Sequence, residues 1–213
     1  MQADRSILYL VTEDWYFCLH RLPIARAARD AGYHVYVATR VHEHAAVLER
    51  EGFEVLPLDW RRESRNPLRA LVEIARIIRL YRRYRPDIVH HVALKPSLYG
   101  SLAAWISLRA PVVNNLAGLG RGFSGSGLAG GTVSRVLGTA IRWLFQRNGS
   151  VTIVENADDR SFLVEKIGLP GDVVILIRGI GVDETRFVYS EEQVVKSGQP
   201  TTITLVSRLL WPK

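Results

Sequence analysis

Two histidines stand side by side in the run "DIVHHVALKPSLYG", and a second run, "TEDWYFCLH", gathers two carboxylates, three aromatic rings, a thiol and another histidine. These are side chains that hold sugars, move protons and attract anions. Glu13 and Asp14 can accept hydrogen bonds from hydroxyl groups or act as general bases, and Trp15, Tyr16 and Phe17 offer apolar faces on which a sugar ring stacks. Each also has a structural use, Asp14 as a helix cap and the aromatics as core. His90 and His91 are consecutive on a predicted strand, so their side chains leave on opposite faces. At most one enters the core, and the other can face a crevice. Lys95 precedes Pro96 at a predicted helix start, where exposed N–H groups and a cation together suit an anion.

Positioning these residues requires alternating strands and helices, and the sequence supplies them. Short runs rich in Ile and Val alternate with segments of helical period, the pattern of βα units around a parallel sheet. Strands are predicted at Ser6–Val11, His34–Ala38, Phe53–Pro57, Asp87–His91, Pro111–Asn115, Ser150–Glu155 and Val173–Ile177. Helices are predicted at Leu19–Ala31, Glu43–Glu51, Pro67–Arg83, from Pro96, over Thr132–Arg147 and over Asp158–Ile167. The fold class is therefore α/β, a doubly wound Rossmann-like parallel sheet. In such a sheet ligands bind beyond the carboxyl ends of the strands where strand order reverses, usually between the first and fourth. That rule selects the Thr12–His20 and His90–Gly100 segments.

In the helix from Pro67 the expected apolar face is Leu68, Leu71, Val72, Ala75 and Ile78, with Arg76, Arg79 and Arg83 as a basic stripe on another face. The 47% hydrophobic content is that of a folded chain, no apolar run approaches the ~20 residues a bilayer demands, and the N-terminus has no secretion-signal pattern. The single cysteine, Cys18, suits a reducing, cytoplasmic setting. An excess of 28 Lys and Arg over 21 Asp and Glu favours anionic partners without choosing among nucleic acid, lipid headgroups and phosphorylated small molecules.

Gly125, Gly127 and Gly130 spell G-x-G-x-x-G, the dinucleotide-binding fingerprint. They do not sit in the tight turn directly after a strand, and no acidic residue follows at the spacing a ribose requires. They read instead as a loop near the crevice. Metal chemistry has little support, since His42 and His44 are two apart and no D-x-D pair occurs.

The stretches "VTEDWYFCLHRLPIARAARDAGYHVYVATR", "DIVHHVALKPSLYGSLAA", "VVNNLAGLGRGFSG", "VENADDRSFLVEKIGL" and "RGIGVDETRF" together resemble the N-terminal, acceptor-side half of bacterial retaining GT-B glycosyltransferases that build capsule, exopolysaccharide and lipid-linked oligosaccharides. The resemblance runs in order from Ser6 to Phe187. "LVSRLLWPK" resembles the start of that family's second, donor-binding domain. The expected organisation is an acceptor-side domain over 1–185, a linker over 186–200 and a truncated start of the donor domain over 201–213.

By that resemblance the whole enzyme transfers a sugar from a nucleotide-sugar to a saccharide acceptor, lipid-linked in this group, with retention and without a metal or other cofactor. Arg208 and Lys213 would grip the donor diphosphate. Asp14 and one of His90 and His91 would be catalytic. Glu13, Trp15, His20, Lys95 and Glu155 would bind substrate, with Gly118 and Gly120 in a loop that shapes the cleft. No nucleic-acid partner is implied. The chain departs from many relatives in having Glu13 and Asp14 where they carry a glycine pair. Arg135, Arg142 and Trp143 on the Thr132–Arg147 helix are compatible with peripheral contact at an anionic membrane on its cytoplasmic side. The alternatives are a non-catalytic α/β domain that binds nucleic acid or anionic lipid, and a dinucleotide-binding oxidoreductase.

Overall fold

The computed structural model describes residues 5–60, 67–118, 132–147, 149–179, 181, 184, 185, 187 and 188. The chain divides into a unit Met1–Ile180 and a second, Gly181–Lys213. In the first, seven parallel strands are β1 (Ser6–Glu13), β2 (His34–Arg40), β3 (Glu54–Pro57), β4 (Ile88–Val92), β5 (Val112–Leu116), β6 (Ser150–Val154) and β7 (Val174–Leu176). They lie in the order β3-β2-β1-β4-β5-β6-β7, so the sequence order reverses between β1 and β4. The predicted sheet and its switch point are both present.

Alternation along the central strands sorts the core onto two faces. Tyr9, Val11, Val35, Val37 and Val92 pack with Phe17, Ala25 and Leu48, residues of α1 (Asp14–His20), α2 (Leu22–Asp30) and α3 (Ala45–Arg50). Leu8, Leu10, Val89 and Val112 pack on the other face with Ile77 and Tyr81 of α4 (Pro67–Tyr84) and Ala103 and Ala104 of α5 (Leu94–Ser107). A third cluster joins Leu116, Val154 and Val174 to Ile141, Leu144 and Phe145 of α6 (Thr132–Phe145). Leu163, in the wider π turn Phe162–Ile167 that continues α7 (Ala157–Ser161), closes that cluster.

Two expectations are corrected. The segment after β1 is not an open loop. It turns helical at Asp14, breaks at Arg21 and restarts with Pro23 early in α2, because a proline in the first turn sacrifices no hydrogen bond and favours a fresh start. In α4 the inward face is Glu73, Ile77 and Tyr81, spaced by four, while Leu68, Leu71 and Val72 are exposed. Polar contacts set that face: Glu73 meets Lys95 at 2.7 Å and the Tyr81 hydroxyl meets His91 at 2.8 Å.

Ala93, between β4 and α5, has φ 79° and ψ 165°. That region is open to glycine and costs a side-chain-bearing residue about 1–3 kcal/mol. Its N–H still reaches the Asn115 carbonyl at 2.9 Å, so the β5 backbone holds it in place.

Candidate active site

A cavity of about 210 Å³ opens at the carboxyl edge of the sheet, lined by His20, Arg21, Pro23, Ile24, His90, Asn115, Ile153, Glu155, Ile177 and Gly179. Its polar centre is Arg21. The residue is 6% exposed, and its guanidinium reaches from the α1–α2 break to donate to Asn115 Oδ1 at 2.5 Å and to Glu155 Oε1 at 3.0 Å. Two acceptors, one on β5 and one just past β6, fix its position, yet its Nε is buried with no protein partner.

His90 is buried against Tyr9, with ring centroids 5.1 Å apart, and its Nε2 also lacks a protein partner. Burial, then the charges of Arg21 and His91, pull its pKa down to about 3. The imidazole is therefore neutral at physiological pH, able to donate from one nitrogen or accept at the other. His20, its ring tilted against Tyr16 with centroids 4.4 Å apart, is likewise pulled below its ordinary value by burial and by Arg21, against an opposing pull from Glu155. Glu155, less buried than Arg21, presents a carboxylate to the opening. Two neutral imidazoles, a fixed cation and a reachable carboxylate suit a polyhydroxylated ligand. A buried polar atom left unpaired costs free energy that such a ligand can recover.

His91 has a different role. It is fully buried on the opposite face, where Nδ1 meets Asn114 Oδ1 and Nε2 meets the Tyr81 hydroxyl, each at 2.8 Å. Ser101 donates to the same Asn114 oxygen at 3.0 Å. With Asn114 as acceptor, Nδ1 carries the proton and Nε2 accepts from Tyr81. Burial pulls its pKa to about 4, against a smaller upward pull from Asn114. Both ring nitrogens are spent inside the fold. The expectation that at most one histidine of the pair enters the core is corrected, because helices cover both faces of the sheet and both rings are buried; His90 alone keeps a ring nitrogen unpartnered and lines the cavity.

The carboxylates at the end of β1 and the start of α1 hold the neighbouring β2 loop. Asp14 is fully buried and accepts from the backbone N–H groups of Trp15, His42 and His44 at 2.7, 2.7 and 3.0 Å. Burial alone would raise its pKa, but these three donors outweigh it and hold the carboxyl below its ordinary value. A carboxylate so stabilised is a weak base and a firm anchor. Glu13 meets His42 Nε2 at 2.9 Å and Arg40 at 3.9 Å.

Lys95 is held by Glu73 and lies over the rings of Trp60 and Tyr99, at 5.7 and 5.2 Å from their centroids. Trp15 sits half-exposed against Tyr16. Gly118 has φ 100°, a conformation glycine adopts without strain. Of the expected site residues, the cavity brings together His20, His90 and Glu155, and Glu13, Asp14, Trp15, Lys95 and His91 stand outside its lining. Gly120, Arg208, Lys213 and the glycines 125, 127 and 130 lie outside the described residues, as do the closing segment 201–213 and the linker over 186–200 apart from Phe187 and Val188.

Residues 6–153 match the family model described as glycosyl transferase 4-like. The chain belongs to that family. It is 23% identical over 205 residues, 91% of this chain and 53% of the relative, to a Campylobacter jejuni protein named N,N'-diacetylbacillosaminyl-diphospho-undecaprenol alpha-1,3-N-acetylgalactosaminyltransferase. Among solved structures, Anabaena HepE in complex with UDP and glucose matches with a TM-score of 0.60 at 18% identity, covering 85% of this chain and 46% of that one. A Rickettsia africae glycosyltransferase matches at 0.59 and 13% identity, covering 83% of this chain and 43% of that one. At such identities the structures share the fold. The chain spans about half the length of these relatives.

In this glycosyl transferase 4-like chain the sequence reading overlooked Arg21 and Asn115. The signal for Arg21 was a lone cation directly before the "LP" of a helix restart, inside a run read as one continuous helix. The signal for Asn115 was an "NN" pair in an otherwise apolar strand, beside the "HH" of its neighbour. Register places His91 opposite Asn114 and His90 opposite Val113, so each strand turns one polar residue of its pair to each face.

Proposed function

We propose that this chain is the acceptor-side lobe of a retaining glycosyltransferase that moves a sugar from a nucleotide-sugar to a lipid-linked saccharide. The observation that carries the reading is the Arg21–His90–Glu155 cavity at the β1/β4 switch point of a chain in this family. The Campylobacter jejuni relative, named for a polyprenyl-diphosphate acceptor, supports the lipid-linked substrate class.

In this reading His90 Nε2 bonds a hydroxyl of the acceptor or donor sugar, and His20 and Glu155 hold further hydroxyls. Arg21 contributes fixed positive charge in a low-dielectric wall, where it orients the leaving diphosphate side of the donor without reorganising during reaction. Asp14 positions the His42–His44 loop beside the cleft instead of exchanging a proton. Arg208 and Lys213 grip the donor diphosphate, as the resemblance implies, and their charge takes the role a metal ion would otherwise fill. Family membership favours this over the oxidoreductase and the non-catalytic anion-binding domain.

Peripheral attachment at the cytoplasmic membrane face is part of the proposal. Trp143 of α6 packs on Trp105 of α5, ring centroids 4.7 Å apart, and both rings are more than half exposed. Indole pairs of this kind favour the headgroup region of a bilayer. Among the described residues no helix is long and apolar enough to cross a membrane.

The test is sugar transfer to polyprenyl-diphosphate saccharides by a protein carrying both lobes. His90→Ala is expected to cost about 10²–10³ in kcat/KM, the scale of a lost hydrogen-bonding group at a reacting centre. Unchanged kcat/KM would remove His90 from the site.

A further inference from the structure

At the opposite, amino edge of the sheet, a cavity of about 790 Å³ is lined by Arg82, Arg85, Pro86, Asp87, Ser107, Leu108, Arg109 and Ala110. Its walls are the end of α4 with the turn into β4, and the end of α5 with the turn into β5. Along β4 the chain rises from Asp87 in this cavity to Val92 at the carboxyl edge, five residues and roughly 17 Å, with His90 between them and its ring on the far side. The cavity is therefore separate from the candidate active site.

Three guanidinium groups share this cavity with one carboxylate. No carboxylate among the described residues pairs with Arg82, Arg85 or Arg109. Asp87 does not neutralise them fully, because its Oδ2 is engaged by the Ser6 N–H and hydroxyl at 2.8 and 3.0 Å. A fourth guanidinium, Arg147, donates to the Leu108 carbonyl on the cavity wall, and its Nη1 is buried with no protein partner. Two of the three arginines do partly offset the negative end of the α4 dipole. That service does not need Arg109.

Arg85 gives a second, independent observation. It closes α4 by donating its N–H to the Tyr81 carbonyl at 2.9 Å, and its φ is +43°. Glycine is the residue that ends helices in this conformation without strain. An arginine there sacrifices backbone stability while it brings a third guanidinium into the cavity, the trade seen at positions kept for binding.

We propose that this cavity is an anion site for a phosphate-bearing ligand. Guanidinium forks match phosphate oxygens in bidentate pairs, and several of them converging without matched carboxylates is the chemistry that phosphate esters and diphosphates complete. The source is a lipid phosphate headgroup or a soluble diphosphate. The proposal stands independently of the sugar-transfer reading.

Binding is measured with inorganic pyrophosphate by calorimetry, and with sedimented vesicles of phosphatidylcholine alone or mixed with phosphatidylglycerol. The proteins compared are wild type, Arg82→Gln/Arg109→Gln and Arg85→Gly, each checked for folding by circular dichroism. Pyrophosphate binding weakened about tenfold in the double variant supports the proposal with a soluble source. Capture by phosphatidylglycerol vesicles alone, weakened to the same degree, supports it with a lipid source. Arg85→Gly is expected to raise Tm while lowering affinity for whichever probe binds. Absence of binding to both probes, or variants that bind as wild type does, overturns the proposal.

Discussion

Arg21 and Glu155, from the break after the first helix and the end of the sixth strand, form an ion pair at 3.0 Å across the mouth of the cleft. With Asn115 they tie the helices beside β1 to the far half of the sheet. Nothing else described in the cavity carries a fixed positive charge.

Removing the guanidinium strands a buried asparagine oxygen and an uncompensated carboxylate. Arg21→Ala is expected to destabilise the fold by about 2–4 kcal/mol, toward the lower part of the range for broken buried pairs because Glu155 is partly solvated. Urea unfolding of Arg21→Ala, Glu155→Gln and the double variant should show an interaction energy of about 1 kcal/mol. Strict additivity would mean that the pair does not couple.

Gly100 of α5 packs on His91 so tightly that an added Cβ would lie 2.4 Å from the imidazole Nε2. Gly100→Ala should therefore cost about 1–3 kcal/mol or more by overpacking, despite alanine's better helix propensity. The cost should shrink markedly in a His91→Ala background, where the methyl group has room. Thermal unfolding of the four combinations checks this, and a stabilising Gly100→Ala would show that the two residues do not meet.

Both adjacent histidines are neutral in the fold, with His90 pulled to about 3 and His91 to about 4, mainly by burial. Unfolded, each titrates near 6.5. Below that pH the unfolded chain takes up protons the folded chain refuses, so their contribution is complete above about 6.5 and is lost as pH falls, to about 4 for His91 and about 3 for His90. Around pH 5 the two together give a slope of about 2.7 kcal/mol per pH unit. Urea midpoints across this range should fall steeply with acid, and His91→Gln should remove about half of this slope, since glutamine does not titrate. Equal slopes in wild type and variant would place the His91 pKa near its ordinary value.

The strained backbone at Ala93 gives a prediction of opposite sign. Ala93→Gly relieves about 1–3 kcal/mol of strain and costs about 0.5–1 kcal/mol of chain entropy, for a net stabilisation of about 1 kcal/mol. A raised Tm with His90 and Asn115 unmoved is the expected outcome. A lowered Tm would mean that the conformation is not strained.

Much of this was legible in the sequence, because β-branched runs bounded by glycine and proline specify a parallel sheet almost independently of context. The switch point followed from the order of those runs. Arg21 was hidden because helical periodicity runs through Leu19–Ala31 and masks the break that frees its side chain to cross the sheet. Alternation places His90 and His91 on opposite faces but cannot say which ring spends both nitrogens inside the fold; the α4 helix, with Tyr81, decides that. The exposed Leu68, Leu71 and Val72 show the same limit, since hydrophobic period gave a face that the Glu73–Lys95 and Tyr81–His91 contacts overrode.

His90 as a sugar-binding group is tested by following its ring nitrogens by NMR during titration with a nucleotide-sugar, a saccharide diphosphate and NAD. A saturable shift of Nε2 with one or both sugar ligands, lost in Arg21→Ala, is expected, with no saturable response to NAD. A silent His90 with both sugar ligands, or a saturable response to NAD, would contradict that role.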